Sequence, residues 1–325
     1  MSGLPLFNTG VSRRGFIKFC SYIASSLALP ASLIPEIATA LERKPRLPVI
    51  WYSFQSCSGC TESLARAHEP TLEDLIFNFL SLDFHDMLQA ATGTAAEQAC
   101  EQSMRDNSGR YVLIIEGSIP LGANGAYSVF NGVSNRERLA ASAADAAAIV
   151  AVGSCATSGG IARAKPDPTG ARSVSELMAM RIIPEKPLVN LPGCPPVPIA
   201  ISATLANFIA FGKLPQLDAE LRPLAFYGHT IHDRCPRLPY FLRGEFAERF
   251  DDAGARKGWC LFKLGCKGPA THNACATYKW NGGVSFPVES GHPCLGCSEA
   301  GFWDRGGFYQ HIRGKIPYPA KPEPK

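Results

Sequence analysis

Val49-Ile50-Trp51-Tyr52-Ser53-Phe54 runs almost directly into Cys57-Ser58-Gly59-Cys60. A continuous apolar, β-branched run suits a strand buried on both faces, as the strands of a parallel sheet are. Tyr111-Val112-Leu113-Ile114-Ile115, Ala148-Ile149-Val150-Ala151-Val152 and Pro187-Leu188-Val189-Asn190-Leu191 read the same way. Helix-like stretches lie between these runs, at Leu72 to Leu80, Arg136 to Ala147 and Val174 to Met180. The alternation predicts a parallel α/β sheet between Pro48 and about Phe211.

The loops after the strands carry the chemistry. The first strand leads to Cys57 and Cys60, the third to Gly153-Ser154-Cys155, and the fourth to Pro192-Gly193-Cys194-Pro195-Pro196. In open α/β sheets ligands bind beyond the carboxyl ends of the strands. Topology alone therefore brings Cys57, Cys60, Cys155 and Cys194 to one edge. Glycine beside each cysteine permits tight turns and close backbone approach. Four thiolates fit a structural zinc ion or an iron–sulfur cluster. Ligands spread over about 140 residues, with further sets downstream, favour the cluster.

From about Leu217 the chain turns rich in Gly, Pro, aromatics and cysteine, with Leu238 to Phe250 as its main helix candidate. Such a segment depends on bound metal for order. His232-x-x-Cys235 precedes Cys260 and Cys266, giving three thiolates and one imidazole. Cys275, Cys294 and Cys297 remain, and a three-iron cluster needs only three ligands. Ten of the twelve cysteines and one histidine thus fall into three sets, which read as an electron wire. Cys100, in a polar, helix-like stretch, reads as a structural thiol.

At the N-terminus Ser12-Arg13-Arg14-Gly15-Phe16-Ile17-Lys18 is a twin-arginine pattern, followed by an apolar stretch to Ile34 and a small-residue cleavage site at Ala38-Thr39-Ala40. This reads as a leader to be set aside from fold reasoning. Cleavage after Ala40 removes Cys20 and leaves eleven cysteines, an odd number that fits a disulfide framework poorly. The formal charge is +4, near +2 without the leader, and no basic stripe points to nucleic acid. No apolar run follows Cys297, so no membrane span is expected in the mature chain.

With these residues in view, the chain resembles the small subunit of a periplasmic nickel–iron uptake hydrogenase over essentially its whole length. The resemblance rests on Cys57-Ser-Gly-Cys60-Thr-Glu-Ser63, Glu116-Gly-Ser-Ile-Pro120, Gly153-Ser-Cys155, Gly193-Cys194-Pro-Pro196, His232-x-x-Cys235 and Pro293-Cys294-Leu-Gly-Cys297. It implies an α/β fold: a twin-arginine leader over 1–40, a flavodoxin-like parallel-sheet domain over 48–215, and a smaller, irregular iron–sulfur domain over 216–325. It implies a proximal 4Fe–4S cluster on Cys57, Cys60, Cys155 and Cys194. A distal 4Fe–4S cluster would lie on His232, Cys235, Cys260 and Cys266, and a medial 3Fe–4S cluster on Cys275, Cys294 and Cys297. The nickel–iron centre belongs to a separate large subunit, so no catalytic residue is expected in this chain. Its part is to pass electrons from H2 oxidation to a cytochrome or quinone-linked acceptor, in the periplasm or peripherally on the membrane.

Four positions qualify the resemblance. Oxygen-tolerant relatives carry extra cysteines where this chain has Gly59 and Gly160. Pro287 stands where relatives with a four-iron medial cluster place a further cysteine. Glu116 reads as a solvated loop carboxylate. Two alternatives are a stand-alone exported iron–sulfur carrier without hydrogenase activity and the cluster-bearing subunit of a quinone-reducing complex, which resembles the first domain only.

Overall fold

The structure is a computed structural model and describes residues 13–27, 29–43, 45–68 and 70–311. Five strands form one sheet: β1 (Leu47–Ser53), β2 (Leu80–His85), β3 (Val112–Glu116), β4 (Ala148–Val152) and β5 (Leu188–Leu191). All pair in parallel, in the order β2-β1-β3-β4-β5. This is the flavodoxin-like order, whose switch point falls between β1 and β3. β3 and β4 are buried at every residue, as their unbroken apolar runs predict. β2 was not expected. It lies at the sheet edge, is only partly buried, and reads Leu-Ser-Leu-Asp-Phe-His, without the continuous apolar signal of its neighbours. The helix expected just before it is a single turn, Leu72–Asp74, that widens into a π turn over Leu75–Phe79.

The helices are α1 (Arg13–Ser26), α2 (Ile34–Arg43), α3 (Gly59–Ala65), α4 (Gly93–Asp106), α5 (Asn135–Ala143), α6 (Gly153–Ser158), α7 (Val174–Ala179) and α8 (Pro198–Phe211). Successive strand residues point to opposite faces. Val49, Trp51, Val112, Ile114 and Val150 therefore pack beneath α8, with α1 and α2 in the same core. Ile50, Tyr52, Leu113, Ile115 and Ile149 pack beneath α4, α5 and α7. Cys100 is buried on α4 with its sulfur 3.4 Å from the Tyr52 hydroxyl. All but three of the 14 residues of α8 are buried, so this helix has no polar face.

That feature bears on the leader. Phe16, Phe19, Cys20, Ile23, Ala24 and Leu27 form a helical stripe on α1 and are buried. With Ile37 and Leu41 of α2 they join the core that contains α8. The segment set aside as a leader is thus packed on the domain, because an apolar stripe and a helix buried on nearly every side cover each other. Ser12 of the twin-arginine pattern lies outside the described residues.

Beyond α8 regular structure is sparse: α9 (Leu224–Tyr227), α10 (Leu238–Leu242), α11 (Ala253–Arg256) and α12 (Cys275–Tyr278) are each a turn or little more. The helix expected from Leu238 to Phe250 stops at Leu242, two residues before Gly244 with φ +72°. Its apolar residues serve a small core instead, where Phe241 sits edge-on to Phe246 and Phe262. Among the described residues no helix is long and apolar enough to cross a membrane.

Candidate metal centres

Ser53 lies opposite Glu116, Glu116 opposite Val152, and Val152 opposite Leu191. Four strands therefore end level, and the loops after β1, β4 and β5 leave from one edge. Cys57 precedes α3, Cys60 lies in its first turn, Cys155 in the first turn of α6, and Cys194 ahead of α8. The four thiols face one another. Burial, reinforced by neighbouring negative groups, pushes Cys155 and Cys194 up to about 11 and Cys60 well above the ordinary thiol range. Such thiols stay protonated at neutral pH until metal displaces the proton. Gly153 has φ +86°, and a Cβ there would stand 2.4 Å from the Cys60 sulfur, so side chains are barred from this wall of the site.

Glu116 is not a solvated loop carboxylate. It is the last residue of β3 and fully buried. Its carboxylate accepts from Ser56 Oγ at 3.0 Å, Trp51 Nε1 at 3.2 Å and Thr61 Oγ1 at 2.6 Å. It also accepts from the backbone N–H groups of Cys60 at 3.0 Å and Thr61 at 3.1 Å. The first turn of a helix leaves its N–H groups without helical partners, and Glu116 supplies them from the adjacent strand. It thereby fixes the turn that carries Cys60. His85 extends the group: it stacks on Trp51 with centroids 5.1 Å apart, and its Nε2 is 3.2 Å from Thr61 Oγ1. Burial pulls its pKa down to about 4, so it is neutral at pH 7. Glu116→Gln would turn an amide NH2 toward backbone donors; it is expected to destabilise the protein by about 2–4 kcal/mol. Denaturant unfolding of the metal-loaded protein checks this; a loss under about 0.5 kcal/mol, the size of an ordinary surface substitution, contradicts it.

His232, Cys235, Cys260 and Cys266 line one small cavity with Ile231, Phe262 and Val288. The His232 ring stands edge-on to Phe241 at 4.5 Å. Burial raises Cys260 and Cys266 to about 12 and lowers His232. Cys275, Cys294 and Cys297 form the third group. Burial lifts Cys294 to about 12 and Cys297 to about 11. Cys294 also faces Cys266 and Cys235, and Cys297 faces Cys194. The third group therefore stands between the other two. Pro287 is exposed between buried Phe286 and Val288, a placement that lends no support to a position at the third group's open corner.

Among the described residues, no three His, Cys, Asp or Glu side chains are placed to grip a single metal ion. A zinc tetrahedron needs every sulfur at about 2.3 Å from one point. A polynuclear cluster takes each thiolate at a separate iron. None of the cysteines is in a disulfide among the described residues.

Two family models match the chain. Residues 57–208 fit the 20 kDa subunit of NADH–ubiquinone oxidoreductase, and residues 227–310 fit the C-terminal part of the NiFe/NiFeSe hydrogenase small subunit. The Hydrogenase-1 small chain of Citrobacter freundii is 50% identical over 93% of this chain and 80% of its own length. The chain belongs to the nickel–iron hydrogenase small-subunit family. The uptake hydrogenase small subunit of Azotobacter vinelandii is 46% identical over 93% of this chain and 83% of its own. Among solved structures, the reduced, active Ni-Fe-Se hydrogenase of Desulfomicrobium baculatum superposes with a TM-score of 0.77 at 36% identity, covering 82% of this chain and 100% of that one. As a hydrogenase small subunit the chain carries iron–sulfur clusters, pairs with a nickel–iron large subunit and serves electron transfer within that enzyme. The match to the quinone-reducing subunit spans the sheet domain alone; the C-terminal match sets this chain apart from it.

Proposed function

We propose that this hydrogenase small subunit holds a wire of three clusters. The proximal 4Fe–4S cluster lies on Cys57, Cys60, Cys155 and Cys194. The medial 3Fe–4S cluster lies on Cys275, Cys294 and Cys297, and the distal 4Fe–4S cluster on His232, Cys235, Cys260 and Cys266. The observation that carries this reading is the position of the third cysteine group: the Cys294 N–H lies 3.3 Å from the Cys266 sulfur, and the Cys297 carbonyl accepts from Ser154 beside Cys155. When bound, the clusters supply one-electron relays between the large subunit and an external acceptor. The chain's own residues hold the sulfurs in place and bury most of them, while Cys57 and Cys194 are exposed. At the distal site an imidazole in place of a thiolate makes the set less negative, which raises potential. The acceptor, a cytochrome or quinone-linked protein, docks at the distal end.

The sheet domain of residues 48–215 holds the proximal site and residues 216–325 hold the other two. Residues 1–40 serve as a twin-arginine leader that sends the folded protein to the periplasm. Metal analysis of the purified heterodimer should give about twelve irons, one of them from the nickel–iron centre, with one nickel. Zinc in stoichiometric amount at any of the three sites overturns the reading.

A further inference from the structure

Neighbouring cysteine groups meet through hydrogen bonds. Between the medial and distal groups the Cys294 N–H donates to the Cys266 sulfur over 3.3 Å. The Lys267 N–H returns a bond to the Cys294 carbonyl at 2.8 Å. Between the proximal and medial groups the link is a side chain: the hydroxyl of Ser154 donates to the Cys297 carbonyl.

Ser154 is 2% exposed and adjoins Cys155 in the first turn of α6. Its N–H donates to the Gly193 carbonyl at 2.8 Å, and its Oγ accepts from the Gly193 N–H at 3.0 Å. A serine hydroxyl offers one donor and two acceptor sites. Here the donor grips the medial loop while an acceptor site grips the proximal loop. One side chain thus joins the turns that carry Cys155, Cys194 and Cys297.

We propose that Ser154 is a positioning residue for electron transfer: it clamps the proximal loops that carry Cys155 and Cys194 to the medial loop that carries Cys297, and so fixes the separation the electron crosses. The proposal rests on the ligand assignment made above. One electron crosses per step, leaving the reduced proximal cluster and entering the oxidised medial cluster; no bond forms or breaks, and no proton moves. H2 oxidation in the large subunit supplies the electrons and the external acceptor removes them. Without the hydroxyl, the buried Gly193 N–H and Cys297 carbonyl lose partners, and the two loops relax apart to recover them. Hydrogen bonds and charge around a cluster help set its potential. The Cys297 carbonyl, left without its donor beside the medial site, disfavours the reduced, more negative state of a cluster held there.

The test uses Ser154→Ala and Ser154→Thr in the intact heterodimer, with EPR-monitored redox titration of the medial cluster and acceptor-linked H2 oxidation as readouts. In Ser154→Ala the reduced-to-oxidised ratio of the medial cluster, poised at the wild-type midpoint, should fall severalfold and up to about tenfold, the latter about 59 mV for one electron. Acceptor reduction should fall with it. Ser154→Thr, which keeps the hydroxyl, should restore both. If Ser154→Ala fails to load clusters while Ser154→Thr loads them at wild-type potential, the need for the hydroxyl is supported. A wild-type potential and rate in Ser154→Ala, or equal defects in both variants, overturns the proposal. A wild type that lacks a three-iron signal overturns the ligand assignment itself, and the role of Ser154 with it, so the two failures are told apart.

Discussion

His232→Ala is expected to cut electron delivery to external acceptors about 10–100-fold while H/D exchange, which needs only the nickel–iron centre, falls far less. The residue contributes the sole imidazole to a cavity otherwise lined by three candidate thiolate ligands. Its ring is held edge-on to Phe241, which itself packs on Phe246 and Phe262, so its direction is fixed by an aromatic cluster rather than by solvent. Alanine removes the ligand and leaves a hole against Phe241. The distal relay should lose its cluster or hold it at an altered potential, stranding electrons upstream. Parallel assays of acceptor reduction and H/D exchange decide the matter. Equal loss in both would make His232 a structural residue rather than part of the exit relay.

Under air, H2 oxidation by the heterodimer is expected to stop completely and to return only after reductive reactivation. Gly59 and Gly160 supply no additional thiolate to the proximal site, so its cluster should cycle between two redox levels and send no extra electron back when O2 attacks. The structure adds a steric reason at Gly160. Its φ is +64°, and a Cβ there would stand 2.3 Å from the Cys155 sulfur and 2.7 Å from the Cys155 Cα. A side chain at this position must move the backbone of a candidate ligand. At Gly59 a Cβ would meet the Cys57 sulfur at 3.2 Å, a tight fit that a small shift relieves. Film electrochemistry under a gas mixture containing O2 checks the prediction. Sustained current in air contradicts it, and then another route for protective electrons must exist.

The parts of this fold legible in the sequence are those where burial is uniform. β1, β3, β4 and β5 announce themselves because strands covered on both faces read as unbroken apolar runs. β2 does not, because half of its residues are only partly buried and its Leu80-Ser81-Leu82-Asp83-Phe84-His85 carries no such run. That Cys57, Cys60, Cys155 and Cys194 leave one sheet edge was legible because the loops that carry them follow strands that end level. Glu116 was misjudged for a reason of the same kind. A carboxylate after an apolar strand looks solvated in one dimension, and only the packed structure shows the five donors that converge on it. Ser154 offered no signal at all, since its partners Gly193 and Cys297 are remote in sequence. The burial of α1 was hidden differently: its apolar residues read as part of a leader, and nothing in the sequence pairs them with α8, whose surface receives them.

The claim at the centre of this account is that three cysteine groups hold three clusters, with a three-iron cluster in the middle. EPR spectroscopy of the purified heterodimer during stepwise reduction tests it most directly. The oxidised protein should show a three-iron signal of about one spin per chain. On reduction that signal should vanish, and signals from two four-iron clusters should replace it. An oxidised protein with no three-iron signal, or a reduced one with fewer than two four-iron clusters, would contradict the assignment of Cys275, Cys294 and Cys297 as the medial ligands and the wire built on them.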